Sequence, residues 1–296
     1  MSNSNKSLSY SLFKLGFEFV FISVKLLYFF KLENLFQKIL FYFLKDIIKY
    51  RQGVILKNIQ HLGIDNKASV KVLNDYYQHL SALVFETIWC FKASPSSIKK
   101  KVEISNMEVF DQIYDSGKNA TILLSHIGNW ELFCQWASLY IPRLNVVTLY
   151  TPIKNNALNQ LLLEYRQRFG VQMVSTKATL DLYRKQKTLN PCINLFAVDQ
   201  NPGAPFEQYW TQFFDAQVPV ISGAEKFAIS QKQDVYYLKI TKNPQKYTLV
   251  LQKIDYDNNT PFDLTIKQMK VLEENILLNP ALWLLSHNRF KYANQK

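Results

Sequence analysis

Strand-like and helix-like segments alternate from residue 121 to residue 198, and this alternation constrains the fold more than any other feature. Apolar runs typical of strands alternate with amphipathic segments typical of helices. The strand-like runs are residues 121–125, 145–150, 171–175 and 193–198, and the helix-like segments are residues 132–140, 156–169 and 179–186. Repeated strand–helix units favour a parallel sheet covered on both faces. We therefore expect an α/β fold with a mostly parallel central sheet flanked by helices.

The first strand-like run leads into a turn that carries a histidine. His126 follows the run, Gly128 and Asn129 allow a tight turn, and a helical pattern begins at Trp130. In α/β proteins, ligands bind beyond the carboxyl ends of the strands. In such a turn His126 and Glu131 can fold back towards each other. A carboxylate that accepts from one ring nitrogen fixes the tautomer, and the other nitrogen can then take a proton.

The same histidine also has structural readings. A lone histidine after a strand is more often a structural residue than a catalytic one, and a histidine followed five positions later by a glutamate occurs by chance. A metal site is not favoured, because the nearby sequence offers no third ligand at helical or strand spacing.

The N-terminal region has an unusual pattern of charge. Residues 8–49 are strongly apolar but contain charged residues at helical spacing, and these predict two helices with narrow charged stripes. The stripe residues are Lys14, Glu18 and Lys25, then Lys38, Lys45 and Lys49. We expect such helices to lie in a membrane interface with lysines at an anionic headgroup surface. The alternative is a pair of helices buried against the main domain. We divide the chain into this region, residues 1–60, and an α/β domain, residues 61–296.

Composition points to anionic partners and to a large core. The chain has 296 residues, is 48% hydrophobic and carries a net charge of +12, half of it from the first 60 residues. A basic protein seeks nucleic acid, an acidic membrane surface or an acidic carrier protein. Nucleic acid is disfavoured because the charge lies beside large aliphatic residues and no nucleic-acid-binding motif is present.

The remainder of the chain carries a long irregular stretch and a C-terminal signature. Residues 200–219 have little periodicity and predict a functional loop. A helix is expected at residues 223–230, a hairpin at residues 235–240 and 247–254, and a last helix at residues 265–278. The tail that follows is rich in aromatic residues, and we expect His287 and Arg289 to dock it rather than to react.

Several blocks, taken in order, resemble one known family. They are His126-Ile-Gly-Asn-Trp-Glu131, Tyr150-Thr-Pro152 with Arg166-Gln-Arg168-Phe-Gly170, Phe196-Ala-Val-Asp199-Gln200, and Trp283-Leu with His287, Arg289 and Lys291. The chain is similar to the lipid A late acyltransferases, the Kdo-dependent lauroyl and myristoyl transferases of the lysophospholipid acyltransferase superfamily. The resemblance covers nearly the whole chain. One departure is Thr151, where many relatives carry a basic residue.

The resemblance implies an activity and a location. Members transfer a fatty acyl chain from acyl carrier protein to a hydroxyl of a lipid A precursor, at the cytoplasmic face of the inner membrane. They use no metal or organic cofactor. In that chemistry His126 would be the general base and Glu131 would orient it. The substrate-binding candidates are Gly128 and Asn129 around the developing oxyanion, then Lys154, Arg166, Arg168, Asp199 and Lys226.

Two other readings stay open from the sequence. One is an acyltransferase of the same superfamily that acts on a lysophospholipid or an aminolipid. The other is a basic membrane-associated protein without catalytic activity.

Overall fold

The computed structural model describes residues 3–178 and 191–295, so the helix predicted at residues 179–186 lies outside the described residues. The helices are α1 (Asn3–Phe29), α2 (Glu33–Tyr42), α3 (Gln52–His61), α4 (Asn66–Cys90), α5 (Pro95–Lys101), α6 (Glu108–Asp115), α7 (Trp130–Tyr140), α8 (Asn156–Gln167), α9 (Gly223–Gln231) and α10 (Asp263–Leu278). Side-chain caps mark several starts: Asp65 accepts from the Ala68 amide at α4, and Asn155 accepts from the Leu158 amide at α8.

The central sheet contains seven strands among the described residues, in the order β1-β9-β8-β2-β5-β3-β4. The strands within the described residues are β1 (Val102–Ile104), β2 (Ala120–Leu124), β3 (Asn145–Tyr150), β4 (Gln172–Ser175), β5 (Cys192–Ala197), β6 (Tyr209–Phe213), β7 (Ala216–Val220), β8 (Asp234–Lys242) and β9 (Tyr247–Lys253). Strands β8, β2, β5, β3 and β4 run parallel, while β9 is antiparallel to β8 and parallel to β1. The predicted α/β fold with a mostly parallel sheet is confirmed.

The middle of the sheet forms the core. Every residue of β2 is buried, and β5 is buried except at its last residue. Continuous apolar strands of this kind are typical of parallel strands that are covered on both faces. The carboxyl ends of β2 and β5 therefore emerge side by side from a closely packed support.

The stretch predicted as an irregular loop at residues 200–219 contains the antiparallel pair β6–β7, so that prediction is wrong over residues 209–219. Tyr209 pairs with Val220 and Phe213 with Ala216. The sequence hides the hairpin for two reasons. Pro219 lies inside β7, and the turn uses Phe214 at a φ of 52° rather than a glycine or an asparagine.

The N-terminal helices form as expected, and two residues of the first charged stripe, Lys14 and Glu18, contact the protein, whereas Lys25 is exposed. The ammonium group of Lys14 contacts the Glu164 carboxylate at 3.4 Å, and Glu18 accepts from Lys92 at 2.8 Å. The opposite face of α1 is apolar and exposed, at Leu12, Leu15, Phe19, Ile22, Leu26 and Phe29. Lys14 pairs with Glu164 of α8 but its side chain is still 48% exposed, so the placement of the lysines at lipid headgroups stays a prediction. In the described part of the chain, no helix has the length and apolar character needed to span a bilayer.

The predicted boundary at residue 60 is not marked by a separate core. Ile55 and Ile59 of α3 are fully buried and belong to the same hydrophobic cluster as β2 and β5. Asn58 of α3 donates to the carbonyls of Leu285 at 2.7 Å and His287 at 2.6 Å. Helix α3 thus packs against the C-terminal tail, and the division of the chain at residue 60 stays a prediction.

Candidate active site

His126 and Asp199 meet at the carboxyl ends of two adjacent parallel strands. In the β2–β5 register Leu124 pairs with Ala197, so the residues two positions beyond each strand come together. The distance from His126 Nδ1 to Asp199 Oδ1 is 2.7 Å. The backbone amide of His126 also donates to Asp199 Oδ2 at 2.9 Å. The carboxylate therefore fixes both the ring and the main chain of the histidine.

Asp199 is a buried carboxylate that is held in its ionised form. Its side chain is 2% exposed and accepts a third hydrogen bond from the indole N–H of Trp283 at 3.0 Å. Burial raises the pKa of this carboxyl, but the attraction of His126 and the three donors outweigh burial and bring the pKa to about 2. A carboxylate at this position fixes the imidazole tautomer and stabilises the imidazolium.

His126 has the tautomer and basicity that a general base needs. With Nδ1–H donated to Asp199, the other ring nitrogen, Nε2, is the proton acceptor. Burial lowers the pKa of His126, but Asp199 outweighs burial and sets the pKa above the ordinary value of 6.5. Trp130 packs edge-on against the ring, with centroids 4.7 Å apart. The Gln200 side-chain nitrogen lies 3.3 Å from Nε2 and 3.4 Å from Nδ1, so it sits beside the ring rather than along the Nε2 lone pair.

The C-terminal tail clamps the turn that carries His126. Leu284 donates its amide to the His126 carbonyl at 2.9 Å, and Gly128 donates its amide to the Leu282 carbonyl at 2.9 Å. Ile127 and Trp283 thereby form an antiparallel bridge. One short segment thus supports both the histidine turn and, through the Trp283 indole, the carboxylate.

The structure pairs Glu131 with Arg166 rather than with the His126 ring. Arg166 Nε lies 3.1 Å and 3.0 Å from the two carboxylate oxygens, and Arg166 Nη2 also contacts the carboxylate. The expectation that Glu131 orients the ring is wrong, because Glu131 belongs to the first turn of α7 and faces the end of α8. A catalytic role for Glu131 stays a prediction, and the contacts now place it beside Arg166.

Gly128 and Asn129 shape the turn itself. Gly128 has a φ of +61°, and its amide is already bonded to Leu282, so it does not serve as the predicted oxyanion donor. Asn129 is 3% exposed, and its side-chain oxygen caps α7 by accepting from the Leu132 amide at 3.1 Å. Both residues therefore set the backbone of the site.

Arg168 is a structural residue and not the predicted substrate contact. Its guanidinium donates to the carbonyls of Cys90 at 2.5 Å and Ala93 at 3.0 Å, and to Gln135 Oε1 at 2.9 Å. These bonds join the end of α4 to α7. Although Arg168 is only two positions after Arg166, it contacts Gln135 and the end of α4, whereas Arg166 contacts Glu131.

Two of the predicted cations lie on the surface. Lys154 is exposed in the segment that joins β3 to α8, close in sequence to the exposed Thr151. Lys226 is exposed in the first half of α9. No contact ties either lysine to His126 in the described residues.

His287 and Arg289 dock the tail, as expected. His287 Nε2 accepts from the Asn201 amide at 3.3 Å, and Arg289 donates to Asn201 Oδ1 at 2.8 Å. Arg289 is fully buried, and burial lowers its pKa to about 10 despite the attraction of Asp199. Both residues hold the turn that follows Asp199.

Trp283 and Gln200 both touch the site, although the motifs that contain them do not identify either one as a site residue. Knowledge of the β2–β5 register is enough to predict that Asp199 lies beside His126. No local spacing in the sequence predicts that the Trp283 indole donates to that carboxylate. Within residues 3–178 and 191–295, no group of histidine, cysteine and carboxylate side chains is suited to hold a metal ion.

The fold and the site together define a class: an α/β protein in which a histidine, held by a carboxylate from the neighbouring strand, can remove a proton from a substrate. The sequence model of the family described as bacterial lipid A biosynthesis acyltransferase matches residues 2–292. The chain belongs to this family, and membership implies an acyltransferase of lipid A biosynthesis. A comparison with curated proteins finds no match.

Proposed function

We propose that this protein transfers a fatty acyl chain from acyl carrier protein to a hydroxyl of a lipid A precursor, with His126 as the general base. The observation that carries the proposal is the His126–Asp199 pair at 2.7 Å, in a chain that belongs to this family. In this mechanism Asp199 takes the orienting role that the sequence predicts for Glu131.

In the reaction, His126 Nε2 removes the proton of the acceptor hydroxyl as its oxygen attacks the thioester carbon. The carbonyl oxygen becomes an oxyanion, the carbon–sulfur bond then breaks, and the imidazolium returns the proton to the leaving thiolate. Asp199 stabilises the imidazolium between these two steps. The Gln200 amide, 3.3 Å from Nε2, is the donor best placed for the oxyanion, because the Gly128 amide is already bonded.

The anionic acceptor requires cations near His126. Of the four predicted cations, Arg168 is held by backbone carbonyls and Arg166 by Glu131, so Lys154 and Lys226 are the exposed ones. Lys154, close to Thr151, replaces the basic residue that relatives carry there. This reduced set of cations also favours a second candidate acceptor, a lysophospholipid with a single phosphate.

A competition assay separates the two acceptors. Purified protein is offered acyl-acyl-carrier-protein with equal amounts of a Kdo-bearing lipid A precursor and lysophosphatidic acid, and the products are identified by mass spectrometry. We expect the acylated lipid A precursor, and we expect none from His126→Ala protein. Product from lysophosphatidic acid alone would overturn the lipid A assignment and leave the His126–Asp199 mechanism standing.

We also propose that the exposed apolar face of α1 lies in the surface of the inner membrane on its cytoplasmic side. Helix α1 packs on α8 through Lys14 and Glu164, and Arg166 of α8 in turn binds Glu131 of α7. One helix, α8, therefore separates α1 from the helix that begins at the catalytic turn. Leu15 and Phe19 are 70% and 72% exposed at adjacent positions of one helical face. Apolar side chains in this arrangement bind the boundary between headgroups and acyl chains.

A flotation experiment with liposomes tests the membrane surface. We expect Leu15→Ser/Phe19→Ser protein to bind anionic liposomes less than wild type. The matched control is Leu277→Ser/Leu278→Ser, because these leucines are 54% and 64% exposed at the end of α10. Equal loss of binding in both variants would contradict the proposed surface.

A further inference from the structure

A second charged site, which is partly buried, lies behind the His126 turn, and the reaction as proposed does not use it. Glu86, near the end of α4, accepts from the Tyr247 hydroxyl at 2.6 Å and from Lys242 Nζ at 3.1 Å. Lys242 and Tyr247 pair directly across β8 and β9, and their side chains are 3.0 Å apart. The Glu86 side chain is 15% exposed. We refer to Glu86, Lys242 and Tyr247 as the Glu86 cluster.

The Glu86 cluster touches the backbone of the catalytic turn. A Cβ atom added at Gly128 would lie 2.9 Å from a ring carbon of Tyr247 and 3.0 Å from Ile240, so that ring packs directly on the turn. Asn129, which caps α7, donates its side-chain amide towards Glu86 at 3.4 Å. The cluster therefore contacts Gly128 and Asn129, the two residues that determine the backbone conformation after His126.

The Glu86 carboxyl of the cluster is held in its ionised form. Burial raises the pKa of the Glu86 carboxyl, but Lys242 and the Tyr247 hydroxyl outweigh burial, and the pKa lies below its ordinary value. Beside the cluster, burial and the Lys242 charge lower the pKa of His79 to about 4, so this ring stays neutral. The cluster is therefore a carboxylate–ammonium pair that lies beside a neutral histidine, His79.

Stability alone is a poor reason for such a pair. Removing two charges from water costs free energy that their attraction repays only in part, and apolar residues of the same volume often stabilise a protein as well or better. A buried ionic pair fixes geometry, since each partner accepts few orientations. At this position the geometry that it fixes is that of Gly128 and Asn129.

We propose that Glu86 is a positioning residue that, with Lys242 and Tyr247, holds the turn after His126 so that Nε2 faces the acceptor hydroxyl. The inference rests on the proposed role of His126 as the base. Glu86 does not touch the substrate, so its removal changes the rate of the chemical step and leaves substrate binding in place.

Two variants separate positioning from stability. Glu86→Gln removes the only carboxylate that, in the described part of the chain, contacts the partly buried Lys242, whereas Glu86→Gln/Lys242→Met leaves neither charge and is expected to regain most of the melting temperature. Glu103→Gln/Lys246→Met is the matched control, because this pair is exposed, spans 3.5 Å and lies at the same end of β9. All variants are made in the full-length protein.

We expect both Glu86 variants to lower kcat by about 10- to 100-fold, with KM for donor and acceptor within about twofold of wild type. The control is expected to keep the wild-type kcat. Wild-type kcat in the well-folded double variant, or an equal loss in the control, would overturn the inference.

A second measurement does not depend on activity. The rate at which diethyl pyrocarbonate modifies His126, followed by mass spectrometry of its peptide, is expected to rise at least threefold or so in the double variant as the turn loosens. An unchanged rate would overturn the inference even if wild-type protein proved to act on another substrate. Absence of acyl transfer by wild-type protein would instead overturn the proposed function.

Discussion

At Asp199, three donors from two distant residues, His126 and Trp283, converge on one carboxylate. The His126 amide, the His126 ring and the Trp283 indole approach within 2.7–3.0 Å. A carboxylate that is bound on several sides cannot turn away from the ring, so the tautomer of His126 is fixed before any substrate binds. The geometry of the site therefore depends on Trp283 as well as on His126 and Asp199.

Trp283→Phe tests that dependence. The change keeps an aromatic ring and removes one hydrogen bond from a buried charge, so we expect the free energy of unfolding to fall by about 1–3 kcal/mol. Acyl transfer is expected to fall as well. Chemical unfolding followed by circular dichroism measures the first effect. Trp210→Phe is the control, because that indole donates only to the Pro205 carbonyl, at 3.1 Å on the outer hairpin. A smaller loss for Trp283→Phe than for the control would contradict this account.

The sequence singled out His126 and Asp199 but paired His126 with the wrong carboxylate. Glu131 is five positions from His126, and a reading of local spacing favours near neighbours. The true partner is 73 positions away and becomes adjacent only through the β2–β5 register. Arg166, the partner of Glu131, is 35 positions from it and depends on how α7 and α8 pack, which no local pattern specifies.

At the scale of elements, side chains join helices that are distant in sequence. Arg168, at the end of α8, holds the end of α4 through the carbonyls of Cys90 and Ala93 and holds α7 through Gln135. Lys14 and Glu18 hold α1 on the same region. Helices α1, α4, α7 and α8 therefore form one connected support beside the site.

Arg168→Ala should act on stability and not on substrate affinity. Loss of three hydrogen bonds leaves buried acceptors unpaired, and we expect the free energy of unfolding to fall by about 2–3 kcal/mol. KM for both substrates should stay within about twofold of wild type. The control is Arg143→Ala, because Arg143 is 54% exposed and its contacts with Asp111 and Asp115 are 3.6 Å and 3.5 Å long. A tenfold rise in KM at unchanged stability, on the order that a lost charged contact gives, would restore Arg168 as a substrate contact.

The elements themselves were largely predictable. The apolar runs at residues 121–125 and 193–198 correspond to the buried parallel strands β2 and β5, because strands covered on both faces are largely apolar. The β6–β7 hairpin was not predictable, because a proline inside β7 and an unusual turn at Phe214 conceal the alternation of apolar and polar residues. The charge spacing on α1 correctly predicted a helix. It did not show that Lys14 pairs with Glu164 of α8, which is 150 positions away in the sequence.

Over the whole molecule, the net charge of +12 would attract an acidic donor protein before the two proteins come into contact. Long-range attraction between oppositely charged proteins speeds their encounter and weakens as salt screens it. The charge is concentrated towards the N-terminal region, whose apolar face we propose to lie on the membrane. Donor and acceptor would then reach His126 from different surroundings, one from water and one from lipid.

The donor prediction is a dependence on salt. We expect KM for acyl-acyl-carrier-protein to rise severalfold as sodium chloride increases from about 0.05 M to about 0.3 M, as the Debye length shortens. A neutral acyl thioester of N-acetylcysteamine is the control, since it carries no acidic protein, and its KM should change little. Equal salt dependence for both donors would contradict a role for charge in donor binding.

The pH dependence of kcat/KM in wild type, Asp199→Asn and Glu131→Gln tests the central claim most directly. The base acts when deprotonated, so activity rises as pH rises through the His126 pKa, which Asp199 holds above 6.5. Without that carboxylate burial lowers the pKa, so Asp199→Asn should shift the acid limb to lower pH and reduce kcat/KM by about 10²- to 10⁴-fold. Glu131→Gln should shift the limb less. A larger shift in Glu131→Gln, with the limb unmoved in Asp199→Asn, would contradict the assignment of Asp199 as the residue that orients the base.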